Sequence, residues 1–333
     1  MSGTDSKTTS DNSGLITEVD LKLHKILFPY AAKQVSDVEQ NGTRFVHYTN
    51  ATAAAEILRN AEFWMREPSC MNDYMEVEHG LRCIDTAYSG DGSGKSFRAI
   101  LEDLQPGLNS AVQNLFREPT FHPRTNNYVA CFSEHRNSED HHGRLSMWRA
   151  YGNGTGIAMV MNSMPFFHGP GVLKLFTSPA AYFDNSHFEE ELKQITENIR
   201  ANFEFIKQVD QKVFSFSVLN MLRFAALSAK HPGFSEEMEW RLIYSPLIAN
   251  SPHMKKEISA IGGVPQTIYK IPLRSSDDGK ITGGELPDLI ERIIIGPTQY
   301  PATMYRAFVD LLTQAGIASP ENKVIVSQIP LRT

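Results

Sequence analysis

Apolar positions Leu21, Leu23, Ile26, Leu27 and Phe28 recur at helical spacing, and Pro29 interrupts them, which predicts two short helices over residues 17–40. Asn41-Gly42 turns the chain into a β-rich run, with a strand at 44–48. Thr49 or Asn50 can cap the following Ala-rich helix, ATAAAEILRNA, and EFWMR reads as a second strand. A helix is expected from Ser69 through MNDYMEVEHGLRCIDTAYS until GDGSGKS ends it, and one more amphipathic helix over 96–116. NNYVACFSE is a strand that runs into the polar loop EHRNSEDHHGR, followed by a short helix LSMWRAYG, a turn NGTG and a strand IAMVMN.

Further strands are expected at VLKLFT and AAYFD, then two long helices over about 186–229, a block large enough to be a lobe or lid. EMEWRLIYS, QTIYKIPL, ERIIIGP and KVIVSQI complete the strands, and TQYPATMYRAFVDLLTQAG is the last long helix. Strands and helices do not alternate regularly, so the fold class is α+β rather than a doubly wound sheet. Residues 17–333 read as a single α+β domain behind a polar tail at 1–16 that is expected to be disordered.

Composition narrows the function classes. A net charge of −6 with no Lys/Arg run argues against a general nucleic-acid binder, because counterion release needs clustered cations. Cys70, Cys83 and Cys131 form neither a CxxC pair nor an even framework, so reduced thiols in a cytoplasm are expected, and no metal. No stretch approaches the length of a membrane span, and the N-terminus has no apolar leader segment.

Four segments carry candidate chemistry. His47-Tyr48-Thr49 ends a strand before a helix start, where free amides can hold a polar ligand beside the imidazole; the structural alternative is a histidine satisfied by a carbonyl. Asn72 and Asp73, with Glu76 three residues on, put carboxylates on one helix face, or simply initiate the helix. Ser133, after Cys131-Phe132, can donate to a ribose hydroxyl or carboxamide, while Trp148 or Tyr151 can stack on a planar ring or fill a core. Glu237, Glu239 and Arg241 alternate along a strand and share one face, which is costly to bury unless they bind something or neutralise each other.

These segments together resemble the mostly bacterial family known as domain of unknown function 2971. The resemblance rests on His47-Tyr48-Thr49, Asn72-Asp73 with Glu76, Cys131-Phe132-Ser133-Glu134, Trp148 with Tyr151, Glu237-Met238-Glu239-Trp240-Arg241 and Ile293-Ile294-Ile295-Gly296-Pro297, in that order. One departure is Tyr74, where the family often has Pro after Asp. The order of a first-strand His, a middle-strand Ser and a late Glu-x-Glu is also similar to the ADP-ribosyltransferase fold.

That second resemblance implies a split mixed or antiparallel sheet core with helical insertions, and NAD as substrate. It implies that Glu239 or Glu237 stabilises the oxocarbenium-like ribose, that His47 positions ribose or carboxamide, and that Ser133 holds the scissile geometry. Tyr48, Trp64 or Tyr151 would stack on nicotinamide and Arg66 or Arg241 would meet the pyrophosphate. Thr49, Asn72, Asp73 and Trp148 complete the expected cofactor-binding set. The implied activity is an ADP-ribosyltransferase, a bacterial toxin or anti-phage effector acting on a protein or nucleic-acid acceptor. The alternatives are an NAD glycohydrolase and a non-catalytic nucleotide- or protein-binding module.

Overall fold

A computed structural model describes residues 17–71, 75–167, 171–275 and 284–330. The expected tail at 1–16 lies outside them, as do Asn72 and Asp73. Pro29 divides the first helical run as its chemistry requires, giving α1 (Glu18–Leu27) and α2 (Pro29–Asn41). Then come β1 (Arg44–Asn50), α3 (Ala51–Asn60), β2 (Glu62–Arg66) and α4 (Glu76–Ser89). Asn50 caps α3, its side chain accepting from Ala53 N at 2.9 Å. The helix expected from Ser69 is instead a 3₁₀ turn at Pro68–Cys70, with α4 starting at Glu76.

The amphipathic run at 96–116 is two helices, α5 (Ser93–Leu104) and α6 (Leu108–Arg117). Pro106-Gly107 breaks it, and Gly107 takes a left-handed φ of 84° that favours glycine. After β3 (Tyr128–His135), the single turn α7 (Leu145–Met147) passes into a π-helical turn at Trp148–Gly152. Next are β4 (Gly156–Met161) and β5 (Leu175–Pro179). AAYFD is not a strand, making only an isolated bridge between Ala181 and Ala229.

The helical block resolves into α8 (Asn185–Ala201), α9 (Phe203–Gln208) and α10 (Gln211–Ser228). The chain then forms β6 (Glu239–Tyr244), β7 (Lys255–Ile261), β8 (Val264–Pro272), α11 (Leu286–Leu289) and β9 (Ile290–Ile295). It ends in α12 (Pro301–Gln314), α13 (Pro320–Lys323) and β10 (Val324–Val326). β7 was not expected, because it is a mostly exposed edge strand with Ile258 74% exposed, and so lacks a buried face to leave a pattern.

The architecture is α+β, with one mixed sheet ordered β10-β9-β4-β1-β3-β2-β8-β7, β6 on β3 and β5 on β6. Only the β9–β10 pair is parallel among these pairings. One face carries the main apolar cluster, with Phe45, Phe132, Trp240 and Ile293 beneath α3 and α12. The helical cluster is broader than the expected lobe: α8 and α10 pack with α1, α4, α5 and α6 through Leu27, Ile84, Phe97, Val112, Ile195 and Leu222. α4 and α10 approach closely at Gly80, where an added Cβ would sit 2.6 Å from the Ala226 carbonyl oxygen. Val77 of α4 and Leu227 of α10 cover the sheet face bearing Val129 and Ile243.

Candidate active site at the fork of the sheet

β3 pairs with β6 along its length, from Tyr128 with Tyr244 to Ser133 with Glu239. Its opposite edge is shared. β1 takes it at Ser133–His135, and β2 only at Val129. Between these pairings the edge of β3 has no strand partner, so the sheet forks. The backbone group freed there is met by a side chain: His47 Nδ1 donates to the Cys131 carbonyl at 3.0 Å. The imidazole ring stands edge-on to Phe63, with centroids 4.6 Å apart. Burial holds its pKa down at about 4, against the raising effect of the Cys131 carbonyl, so the ring is neutral at neutral pH. Nδ1 carries the proton in that bond, which leaves Nε2 as an acceptor.

A cleft of about 970 Å³ opens from this fork. His47, Ser133, Glu237, Glu239, Tyr48, Thr49, Trp64, Arg66 and Tyr151 all line it, although they come from five separated stretches of chain. Ser133 is 3% exposed, and its hydroxyl makes no hydrogen bond among the described residues. Thr52 and Ala53, at the start of α3, add a helix N-terminus to the wall. Tyr151 enters from the π-helical turn, a feature frequent at functional sites. Burial raises its phenol pKa, and so does nearby Glu237.

The acidic corner has a different origin from the one expected. Glu237 is not in the strand; it ends a 3₁₀ turn at Pro232–Glu237, and Met238 follows with a left-handed φ of 45°. Glu239 and Arg241 do share a face of β6, beside Ser133 and Cys131 of β3. Lys230, just beyond α10, joins the carboxylates: its Nζ lies 2.6 Å from Glu239, 2.8 Å from Glu237 and 2.9 Å from Glu76. Arg241 pairs with Glu239 at 2.5 Å and with Glu76, and donates to the Leu227 carbonyl at 2.6 Å.

This corner therefore holds three carboxylates against two cations. Burial opposes the ionisation of Glu239, but Arg241 and Lys230 outweigh it and hold its pKa at about 2. Burial pushes Glu237 the other way, above the usual range, and the attraction of Lys230 only partly offsets it. The backbone of the 3₁₀ turn is fixed as well. Arg144 Nη1 donates to the carbonyls of Glu236 and Glu237 at 2.8 and 3.2 Å, while Glu139 anchors its Nε at 2.8 Å.

Two expected ligand-binding residues do not line the cleft. Trp148 is 3% exposed, donates Nε1 to the His142 carbonyl at 2.7 Å and packs edge-on against Tyr48, so its indole is core. Arg241 has its guanidinium committed to Glu239, Glu76 and Leu227, which leaves it no donor set for a pyrophosphate. Tyr48 reaches the cleft, but its hydroxyl accepts from Arg144 N at 2.8 Å. Arg66 keeps its place there, with Nε bonded to Gln266 at 3.0 Å. Sequence reasoning missed Lys230 and Arg144. A lysine directly after a long apolar helix is the one local signal for the former, and Arg144 gives none. Among the described residues, no cluster of His, Cys, Asp or Glu is arranged to hold a metal.

The Trp148 turn and the acidic corner, apart from Glu76, fall in one stretch of sequence that a family model matches. Residues 147–242 match the family model "Protein of unknown function (DUF2971)". The DUF2971 match thus includes Tyr151, Lys230, Glu237, Glu239 and Arg241, while His47, Glu76 and Ser133 lie N-terminal to it. No curated protein and no solved structure matches the chain.

Proposed function

We propose that this protein cleaves the bond between nicotinamide and ribose in NAD and transfers the ADP-ribose to a macromolecular acceptor. The observation that carries this reading is the convergence of the His47 imidazole, the Ser133 hydroxyl and the Glu237/Glu239 pair on one cleft where the sheet forks. A split sheet with these residue types at its fork is the arrangement expected of an ADP-ribosyltransferase-like core. The cleft volume suits a dinucleotide.

The chemistry follows from the residues. The C–N bond breaks with its electron pair going to the pyridine nitrogen, which leaves as neutral nicotinamide. Positive charge develops on the ribose, and a carboxylate at the cleft wall stabilises it. The acceptor's lone pair then closes on the anomeric carbon, and its proton passes to the carboxylate. His47, neutral and with a free acceptor nitrogen, orients a ribose hydroxyl. Trp64 and Tyr151 offer ring faces for the nicotinamide, and Arg66 and the start of α3 offer positive potential for the phosphates. Hydrolysis by water in place of the acceptor uses the same site.

The test is nicotinamide release from NAD by the purified chain. The reading expects release, reduced at least ~100-fold in a Glu237→Gln, Glu239→Gln double variant that stays folded. Label from NAD appearing on protein or nucleic acid identifies transfer, and free ADP-ribose identifies hydrolysis. Binding of NAD without release at any pH removes the enzymatic reading in favour of a binding module.

A further inference from the structure

The geometry separates the two carboxylates. Glu239 has no oxygen to spare: Oε1 takes Arg241 Nε at 2.5 Å and Oε2 takes Lys230 Nζ at 2.6 Å, and its side chain is only 6% exposed. Glu237 gives Oε2 to Lys230 at 2.8 Å, while its Oε1 meets no cation or N–H donor among the described residues. Its side chain is 17% exposed and lines the cleft. We propose that Glu237 is the carboxylate that meets the substrate ribose, and that Lys230 is a positioning residue that fixes its orientation and keeps it ionised. This assignment deepens the NAD-cleaving reading above and rests on it.

The surroundings explain why a cation is needed there. Glu237 is faced by Glu239 and Arg241 from β6, Glu76 from α4 and Lys230 beyond α10. Tyr151 of the π-helical turn and Tyr182 after β5 complete the polar shell, and Cys131 of β3 adds a half-buried thiol beside Arg241. Burial and the neighbouring Glu239 both favour a proton on Glu237, and Lys230 is its only direct counterweight among the described residues. Take away the ammonium and three carboxylates face one cation. Glu239 keeps Arg241, so the proton settles on Glu237. A protonated carboxyl neither stabilises a ribosyl cation nor accepts the acceptor's proton.

Single variants of the full chain separate the roles. In Lys230→Gln the acid limb of nicotinamide release is expected to move up by about one pH unit or more, with turnover recovering at high pH. In Glu239→Gln the limb moves down, because a like charge next to Glu237 is gone. In Glu237→Gln, release falls at least ~100-fold at every pH, and Lys230→Arg restores a limb close to the parent's. A pH-independent loss in Lys230→Gln, or retained release in Glu237→Gln, overturns the proposal. The Glu237 carboxyl titration, followed by ¹³C NMR, reads the same coupling without turnover. An unmoved midpoint in Lys230→Gln overturns the assignment even if the chain releases no nicotinamide, an outcome that would itself sink only the NAD reading. If Lys230→Gln does not fold, the downward shift in Glu239→Gln decides.

Discussion

Arg241 and Glu239, two residues apart on one face of β6, form an ion pair of 2.5 Å in which the side chains are 2% and 6% exposed. A buried charge that loses its partner costs more than the pair contributes, because the remaining ion is left desolvated and unpaired. Glu239→Ala is therefore expected to lower stability by about 3–5 kcal/mol in urea denaturation. A loss below about 1 kcal/mol would mean that water reaches the corner.

The same pair sets an acid limit. The folded pKa of Glu239 is about 2, below the ordinary value of 4.5. Its stabilising contribution is thus complete above pH 4.5 and lost as pH falls from there towards 2. Stability measured across that window is expected to drop in the parent chain. The drop should be shallower in Glu239→Gln, and equal slopes would rule out Glu239 as a source.

His47 acts in a higher window. Its folded pKa of about 4 lies below the ordinary 6.5, so protonation favours the unfolded chain, and stability declines as pH falls from 6.5 towards 4. His47→Gln should flatten that decline and reduce nicotinamide release, since the side chain that bridges the fork to Cys131 is replaced. An NMR titration of the imidazole with a midpoint near 6.5 would contradict the buried, neutral ring.

Trp148 is held by three glycines. A Cβ at Gly296 would meet its Cε3 at 2.8 Å, one at Gly143 its Cζ2 at 2.5 Å, and one at Gly156 its Cε3 at 3.0 Å. Gly296→Ala is expected to cost about 1–3 kcal/mol through overpacking, read as a lower Tm. No change in Tm would show that the indole has room to shift.

Arg66 gives a binding prediction. Arg66→Gln removes a cleft cation without touching the acidic corner, so KM for NAD should rise about tenfold while kcat changes little. A fall in kcat at constant KM would place Arg66 with the reacting atoms instead.

Local chemistry alone determined much of this chain. Pro29, Asn50 and the short apolar runs of β3, β4 and β9 define their elements through effects confined to a few neighbouring residues. The motif residues His47, Ser133, Glu237 and Glu239 stood out by type and order. Their division of labour did not, because burial and partners are set by contacts over long separations. Lys230 looks like any lysine after a helix until the packing of α4 and α10 brings it against Glu76 and Glu239. Trp148 and Arg241 looked like ligand contacts, and tertiary packing closed the one in glycines and spent the other on carboxylates. The fork, too, belongs to the tertiary structure alone: it exists because β1 and β2 share one edge of β3, a pairing that no single strand's pattern encodes.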